Sequence, residues 1–423
     1  MPYATAVRGP ARDDHAADSL AMRALLDLGQ SVWLDRSSRR MTRDGELAAM
    51  VRRGLRGVAW NAAAFEQAVT ATTDYDEALA SLAATARSDR SVLEELAIQD
   101  TRDAADVLRR VFDTSGGVDG FATIAVAPDL ARDAEGTVEA ARRLWRATGR
   151  PNVLIEIPAT RESVPAIEHA LREGINIAVT LLFSAEQYRA VAAACMRALE
   201  DRAGRGDPID RLAVIASLPV SRIDEEVDAR IDAAGGGAWA LRGRAGIASA
   251  RLLYGAFLEI TRGARWRALE ARGARVPRPL WASTETRNPD YYDVRYLESL
   301  IGPSTVTSVP SDTLHRFEDH GFVRRRLPGN VTGAKRAMRA LTSRGIDLPE
   351  VRRTLETRAI DARTRSFERA LVAIAAKRRA VRTRSSTETH DPAARRGCER
   401  GGPFMRPIAG PGGQAAGGAS LDP

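Results

Sequence analysis

Short apolar segments alternate with amphipathic segments over roughly the first 350 residues of the chain. Several apolar segments run without polar interruption, which is typical of parallel strands covered on both faces. The predicted strands are Ser31–Asp35, Gly57–Asn61, Phe121–Pro128, Val153–Pro158, Asn176–Phe183, Leu212–Leu218, Leu280–Thr284 and Thr305–Val309. Between them, apolar residues recur at helical spacing. Helices are predicted at Thr137–Ala147, at Val164–Glu173 and, with Ser184 as its N-cap, at Ala185–Glu200.

Eight strands with helices between them predict an α/β fold, a single (β/α)8 TIM-type barrel. An open doubly wound sheet is the alternative, although no G-x-G-x-x-G segment follows a predicted strand. We assign residues 19–376 to the barrel and residues 1–18 to a loose N-terminal arm. Residues 377–423 are rich in Gly, Pro and Arg, and we predict a disordered basic tail because such a segment buries too little apolar surface to offset its ordering entropy.

The net charge of +8 is concentrated in this tail. Residues 376–423 hold nine basic and four acidic residues, so five of the eight net charges lie there. The preceding residues mix arginine with acids, as solvated helix surfaces do. We therefore do not expect a nucleic-acid partner. No apolar run approaches the roughly 18 residues that span a membrane, so no membrane partner is expected either.

The residues that most often carry covalent or metal chemistry are scarce. Two cysteines are too few for a disulfide framework, which indicates a reducing compartment, and we expect a cytoplasmic protein. None of the five histidines follows a predicted strand, so no metal is expected. The chain has two lysines, Lys335 and Lys377, and its first 334 residues have none. A Schiff base or a pyridoxal anchor in that stretch is thereby excluded, and no organic cofactor is expected.

Chemistry in such barrels lies at the carboxyl ends of the strands. The polar residues at or near the predicted ends are Asp35, Asn61, Glu156, Thr180, Ser217 and Ser283. Asp35 or Asn61 could instead cap a helix, and Thr180 and Ser217 could be tolerated inside strands. Glu156 alternates with Ile155 and Ile157, so it should face the barrel interior. A carboxylate there is costly unless paired or neutralised, which leaves either a Glu–Arg pair or a functional pocket.

These residues lie within segments that resemble the long form of bacterial transaldolase, from about Leu25 to His320. The matching segments are Gln30–Asp35, Leu55–Val69, Leu96–Leu108, Asp119–Val138, Arg150–Thr160, Glu173–Ser184, Val220–Asp232, Arg278–Tyr291 and Leu300–Gly321. The resemblance implies a (β/α)8 barrel and transfer of a dihydroxyacetone unit between sugar phosphates through a lysine Schiff base. It also implies that the reaction needs no cofactor.

The resemblance assigns roles to individual positions. Asp35 handles protons on the sugar hydroxyl, and Asn61, Thr180 and Ser217 match other polar residues of the family's site. The phosphate-binding set matches Arg222, Ser283 and Arg287, and arginine suits this role because its planar fork binds phosphate oxygens in pairs. The implied partner is a small-molecule sugar phosphate. A homodimer stays open.

The departures from the family pattern fall where the chemistry is. The Schiff-base lysine position is Glu156, and the position of the glutamate that activates water is Ala125. The other departures are Trp60 in the T-S-N-P block, Ala178 in N-x-N-x-T and Glu285 in S-T-G-T. We therefore predict a divergent enzyme with altered chemistry, counting Glu156 among its candidate catalytic residues. The alternative is a catalytically inactive homologue that acts as a sugar-phosphate sensor or partner protein. In the divergent enzyme, Asp35 and Glu156 could form an acid–base pair.

Overall fold

Eight parallel strands form a closed barrel in chain order in the computed structural model, which describes residues 20–83, 87–234 and 239–388. The strands are β1 Gln30–Asp35, β2 Leu55–Ala59, β3 Phe121–Ala125, β4 Val153–Pro158, β5 Ile177–Thr180, β6 Val214–Pro219, β7 Arg278–Ala282 and β8 Thr305–Val309. Each strand pairs with the next, and β1 closes the barrel against β8. The predicted (β/α)8 barrel is confirmed.

Helices follow every strand and cover the outside of the barrel. They are α1 Leu20–Asp27, α2 Arg39–Arg43, α3 Glu46–Arg53, α4 Ala62–Ala71, α5 Asp76–Ala83, α6 Asp89–Thr114, α7 Ala134–Thr148, α8 Val164–Arg172, α9 Ala185–Arg205, α10 Val220–Ala234, α11 Ala245–Arg262, α12 Ala264–Glu270, α13 Arg295–Ser299, α14 Ser311–His320, α15 Val331–Ser343 and α16 Leu348–Glu388. Ser184 caps α9 as predicted, since its side chain accepts a hydrogen bond from Gln187 N. Within the described residues, no helix is both long and apolar enough to cross a bilayer.

Two predicted strands have the observed bounds, β4 and β8. Others end earlier than predicted, because an apolar residue beside the ladder can be buried without belonging to it. The strand predicted to reach Phe183 ends at Thr180, and Leu181 turns the chain away with a φ of 60°. The strand predicted to reach Pro128 ends at Ala125, where a 3-10 turn begins three residues later.

The other boundary corrections have local causes. The strand predicted as Gly57–Asn61 is β2, which ends at Ala59 because Asn61 begins α4 as its N-cap. The strand predicted as Leu280–Thr284 ends at Ala282, because Ser283 has a φ of 49°. The strand predicted as Leu212–Leu218 runs from Val214 to Pro219.

The barrel interior is packed below the mouth. One apolar cluster fills it, formed by Trp33, Phe121, Leu154, Ala178, Ile215, Leu280 and Val306 among others. Gly57 on β2 makes room for the indole of Trp33, since a Cβ at that position would lie 2.4 Å from the ring. Ile155 and Ile157 belong to the cluster between strands and helices, which confirms that Glu156 faces inward.

A charged network closes the amino end of the barrel. Arg278 at the start of β7 donates to the Asp119 carboxylate at 2.9 Å and to the Ser31 hydroxyl at 2.7 Å. Ser31 in turn donates to Asp119 at 2.8 Å. Both members of the Arg278–Asp119 pair have side chains only 13% exposed. The pair therefore plugs the end of the barrel opposite the mouth.

Helix α16 crosses the mouth. It contacts α10, which follows β6, and α4, which follows β2 on the opposite side of the barrel. Apolar side chains anchor its far half, where Ala370 and Ile374 pack in a cluster with Phe65, Tyr75 and Leu93. Burying such side chains contributes roughly 1.5–3 kcal/mol each, so α16 is held as a fixed cover.

The helix also corrects the predicted domain boundary. Residues 377–388, which we assigned to a disordered tail, continue α16, because Lys377 donates to Thr72 O and pairs with Asp76 at 2.5 Å. The predicted arm at residues 1–18 and the rest of the predicted tail, residues 389–423, lie outside the described residues.

Candidate functional site

A cavity of about 790 Å³ opens between the carboxyl ends of the strands and α16. The fold brings every predicted site residue to its wall, namely Asp35, Asn61, Glu156, Thr180, Ser217, Arg222, Ser283 and Arg287. Seven arginines line this cavity, and neither of the two lysines of the chain does. The cavity thus combines a largely apolar wall with several guanidinium groups and no lysine amine.

Glu156 projects into the cavity from β4 between two alanines. In the barrel register it lies beside Ala125 of β3 and beside Ala178 of β5. Its hydrogen-bond partner comes instead from lower in the barrel, where the Thr123 hydroxyl donates to Glu156 Oε1 at 2.5 Å. Burial raises the pKa of Glu156, while the charge of Arg363 and the Thr123 hydrogen bond lower it. The three predicted departures at positions 125, 156 and 178 therefore form one row across the barrel.

The positive charge that most affects the pKa of Glu156 belongs to the helix that covers the mouth, α16. Arg363 of α16 reaches into the cavity and donates to the Thr180 hydroxyl at the end of β5, at 2.9 Å. Burial lowers the pKa of Arg363, whereas the negative charges of Glu156 and Asp35 raise it. Among the described residues no arginine lies within 4 Å of the Glu156 carboxylate, so the Glu–Arg pair considered from the sequence is not formed as an ion pair. The charge of Arg363 on α16 still lowers the pKa of Glu156.

Arg363 differs from the other arginines of the cavity. Each of the other six lies within 4 Å of a carboxylate oxygen, for example Arg36 at 3.8 Å from Asp35. Among the described residues, Arg363 has no carboxylate at that distance. Its guanidinium also has five N–H donors, of which Thr180 uses one. Arg363 lines the cavity, so a guanidinium with further N–H donors is available there for an oxygen-rich ligand.

Asp35 lies at the end of β1 and is a second carboxyl group of the site, with its side chain 28% exposed. Burial raises the pKa of Asp35 to about 6; the Arg36 charge lowers it, and the charges of Glu285 and Glu156 raise it further. A carboxyl group with this pKa exchanges protons near neutrality, which is what a general acid or base requires.

Other predicted residues have mixed roles. The Asn61 side chain caps α4, since its Oδ1 accepts hydrogen bonds from Ala63 N and Ala64 N, so the capping role considered from the sequence is confirmed. Asn61 also lines the cavity. Ser217 of β6 is half-buried at the cavity wall. Among the described residues, no group of three or more His, Cys, Asp or Glu side chains is placed to hold a metal ion.

The predicted phosphate-binding residues lie together at one side of the mouth. Arg222 is in the first turn of α10, while Ser283 and Arg287 follow β7. The backbone joins these two segments, because Ser221 N donates to Ser283 O at 3.1 Å. Each arginine already has a carboxylate partner: Arg222 bonds Glu225 at 3.0 Å, and Arg287 bonds Glu285 at 2.9 Å.

Sequence reasoning did not find Arg363 or Thr123. The sequence could have predicted that Thr123 faces the barrel interior, because it lies two residues before Ala125 and therefore on the same face of β3. Arg363 lies four residues before Phe367, an apolar residue of α16 that packs at the cavity, so helical spacing places both on one face.

The closed (β/α)8 barrel, with carboxylates and arginines gathered at the carboxyl ends of its strands, places the chain in the class of α/β-barrel proteins. The family described as Transaldolase/Fructose-6-phosphate aldolase matches residues 32–374. The chain is 40% identical over 352 residues to a transaldolase of Saccharopolyspora erythraea, covering 83% of this chain and 95% of the relative.

Two further curated relatives agree. A transaldolase of Mycolicibacterium paratuberculosis is 42% identical over 342 residues, covering 80% of this chain and 92% of the relative. A transaldolase of Thermobifida fusca is 41% identical over 357 residues, covering 84% and 97% respectively. The chain therefore belongs to the transaldolase/fructose-6-phosphate aldolase family.

Proposed function

We propose that this family member binds a phosphorylated sugar in the cavity at the barrel mouth and acts on it without a Schiff base. The observation that carries the proposal is the cavity lining, which holds seven arginines and no lysine. The phosphate is bound by Arg222, Ser283 and Arg287, and the N-terminus of α10 favours an anion at the same place.

In this proposal Glu156 occupies the position of the family's Schiff-base lysine. A carboxylate cannot form the cationic imine that stabilises the carbanion left by C–C cleavage. Arg363 supplies a cation at the reacting end, where its free N–H donors would bind a carbonyl oxygen of the sugar. A guanidinium polarises a carbonyl through hydrogen bonds without becoming covalently attached.

The carboxyl groups support proton transfer as the altered chemistry. The pKa of Asp35 is raised to about 6 and that of Glu156 is also raised, so one group can hold a proton while the other is ionised. With Arg363 holding the carbonyl oxygen, such a pair suits an isomerase or a lyase acting on a sugar phosphate. The alternative, a catalytically inactive sensor or partner protein, is supported by the loss of polar side chains at positions 125 and 178.

Borohydride reduction in the presence of fructose 6-phosphate tests the loss of the Schiff base. We expect mass spectrometry to find no adduct on the parent chain. A transaldolase in which borohydride traps a lysine adduct under the same conditions serves as the positive control. An adduct on the parent chain would refute the proposed chemistry.

A gain-of-function variant tests whether the rest of the site is intact. Glu156→Lys combined with Ala125→Glu restores the two missing groups, and we expect measurable transaldolase activity with fructose 6-phosphate and erythrose 4-phosphate. Trp60→Ser is added as a third change to relieve crowding by the indole. No activity in the triple variant, when it folds and binds sugar phosphates, would favour the inactive alternative.

A thermal-shift panel tests binding alone. Sugar phosphates should raise the melting temperature of the parent chain, since a ligand at 100 times its Kd adds about 2.7 kcal/mol to stability. The unphosphorylated sugars should produce no shift. Activity of the parent chain in an isomerase or lyase assay, lost in Glu156→Gln, would separate the divergent enzyme from the sensor.

A further inference from the structure

Four charged side chains form a closed ring beside the mouth. Arg222 and Glu225 come from the first two turns of α10, and Glu285 and Arg287 come from the loop after β7. Arg222 lies 3.0 Å from Glu225 and 3.9 Å from Glu285. Arg287 lies 2.9 Å from Glu285 and 3.9 Å from Glu225. Positive and negative groups therefore alternate around the ring, and its net charge is zero.

Glu285 has the position of a bound anion within this ring. Its Oε1 lies within 4 Å of both guanidinium groups, as an oxygen of a phosphate held between two arginines would. Its side chain is only 18% exposed, and its Oε2 is buried without a hydrogen-bond partner. Glu225 Oε1 is likewise buried and has no hydrogen-bond partner. The ring thus holds two carboxylates whose hydrogen-bonding capacity is only partly used.

We infer that Glu285 is a specificity-determining residue that competes with the phosphate of an incoming ligand for Arg222 and Arg287. The inference rests on one part of the proposed function, the binding of a phosphate group by Arg222 and Arg287. A phosphate dianion that reaches the two arginines must displace the Glu285 carboxylate or lie against it, and like charges at this distance repel. The carboxylate therefore weakens binding of dianions relative to ligands with a neutral group at this end.

Isothermal titration calorimetry with three probes tests the inference, using fructose 6-phosphate, inorganic phosphate and unphosphorylated fructose. In Glu285→Gln we expect a Kd for fructose 6-phosphate at least tenfold lower than in the parent chain. Binding of fructose should not change. The matched control is Asp290→Asn, which removes one negative charge from an exposed position of the same loop, outside the cavity lining, and should change no Kd more than twofold.

A double variant tests whether the change in affinity depends on Arg222. The higher affinity of Glu285→Gln for fructose 6-phosphate should disappear when Arg222→Met is added. Arg222, for which Glu285 and the phosphate compete, is then absent. Glu285→Gly serves the same purpose as Glu285→Gln if the glutamine variant fails to fold. Thermal melts of every variant verify folding before titration.

The outcomes separate this inference from the proposed function. If the parent chain binds fructose 6-phosphate and Glu285→Gln binds it no more tightly, the inference is wrong and the proposed function stands. If Glu285→Gln gains affinity for inorganic phosphate while no sugar phosphate binds the parent or the variant, the inference stands and the proposed function is wrong. Absence of any phosphate binding in all variants refutes both.

Discussion

At the amino end of the barrel, Arg278 faces one carboxylate, Asp119, and a serine completes the hydrogen bonds between them. At the mouth, among the described residues, two carboxyl groups, Asp35 and Glu156, accept no hydrogen bond from a guanidinium. Glu156 has a threonine as its donor and a guanidinium only in electrostatic range, and burial raises the pKa of both Glu156 and Asp35. Both ends carry charge, yet Asp35 and Glu156 inside the mouth lack the direct guanidinium hydrogen bond that Asp119 has at the amino end.

The difference indicates what each end does. A buried pair in direct contact is a structural plug, because removing one partner leaves the other without compensation. Carboxyl groups whose pKa is raised by burial lower the stability of the folded chain at neutral pH, and such groups cluster at functional sites. The amino end of this barrel stabilises the fold, while the mouth holds groups suited to proton exchange and ligand binding.

The largest expected effect comes from breaking the plug. Arg278→Met leaves Asp119 without its cation, and we expect a loss of about 3 kcal/mol in the free energy of unfolding, measured by urea denaturation. Arg222→Met at the mouth is the matched control and should cost about 0.5 kcal/mol, since Arg222 is 37% exposed. Equal losses of unfolding free energy in Arg278→Met and Arg222→Met would contradict a special structural role for the amino end.

Asp35→Asn tests whether ionisation of a carboxyl group at the mouth lowers the stability of the folded chain. The folded chain raises the pKa of Asp35 to about 6 from 3.8, so the folded state binds this proton more tightly than the unfolded state. The stability that this proton contributes is fully present below pH 3.8 and is lost as the pH rises through about 6. We expect the free energy of unfolding of Asp35→Asn to exceed that of the parent by about 1–2 kcal/mol at pH 7.5 and by less than about 0.5 kcal/mol at pH 4, because the partly exposed side chain is screened by solvent.

The control for this experiment is Asp290→Asn, whose side chain is exposed in the loop after β7. Its stability should follow that of the parent chain at both pH values. A gain for Asp35→Asn that is equally large at pH 4 would show that packing, rather than ionisation, accounts for the difference.

Glu156→Gln is expected to change the stability of the folded chain less than Asp35→Asn does. The glutamine keeps an acceptor for the Thr123 hydroxyl and removes a carboxylate whose pKa is raised by burial. Stability at pH 8 should rise by about 1 kcal/mol, and the gain should shrink as the solution is acidified. If Glu156→Gln instead destabilises the chain at pH 8, attraction between Glu156 and Arg363 outweighs the cost of burying the carboxylate. Glu156 would then stabilise the fold, as the Arg278–Asp119 pair does at the amino end.

The smallest effect is expected where α16 is tethered far from the mouth. Lys377→Met removes the pair with Asp76, whose members are 22% and 37% exposed, and should cost about 0.5 kcal/mol. The affinity for sugar phosphates should not change. A loss of more than about 1.5 kcal/mol in chemical denaturation would mean that ion pairs, rather than the apolar cluster, hold the helix in place.

The sequence predicts the barrel well because its strands are apolar runs separated by helical segments. All eight predicted strands overlap observed ones. The ends are less accurate, since hydrophobicity continues past the last ladder residue at Leu181 and Val126, where side chains pack into the core without pairing. Backbone reversals with positive φ, such as that at Ser283, leave no mark in the apolar pattern.

The strand pattern predicts the site residues that lie at strand ends, and the family resemblance adds Arg222 and Arg287 beyond them. Asp35, Glu156, Thr180 and Ser217 are found because the fold dictates where strand ends meet. Arg363 is separated from Glu156 by about 200 residues and belongs to a helix with many arginines, so charge pattern alone does not single it out. The neutral ring around Glu285 was equally hidden, because it depends on distances between two loops that the sequence does not specify.

The absence of amines from the cavity has a practical consequence for labelling. Lys335 is exposed on α15, while Lys377 is occupied by Asp76 and a backbone carbonyl. An amine-reactive dye or an activated resin would therefore couple at Lys335 or at the terminal amine and leave every group that lines the cavity unmodified. The protein can be immobilised or tagged by ordinary amine coupling with the cavity at the barrel mouth chemically intact.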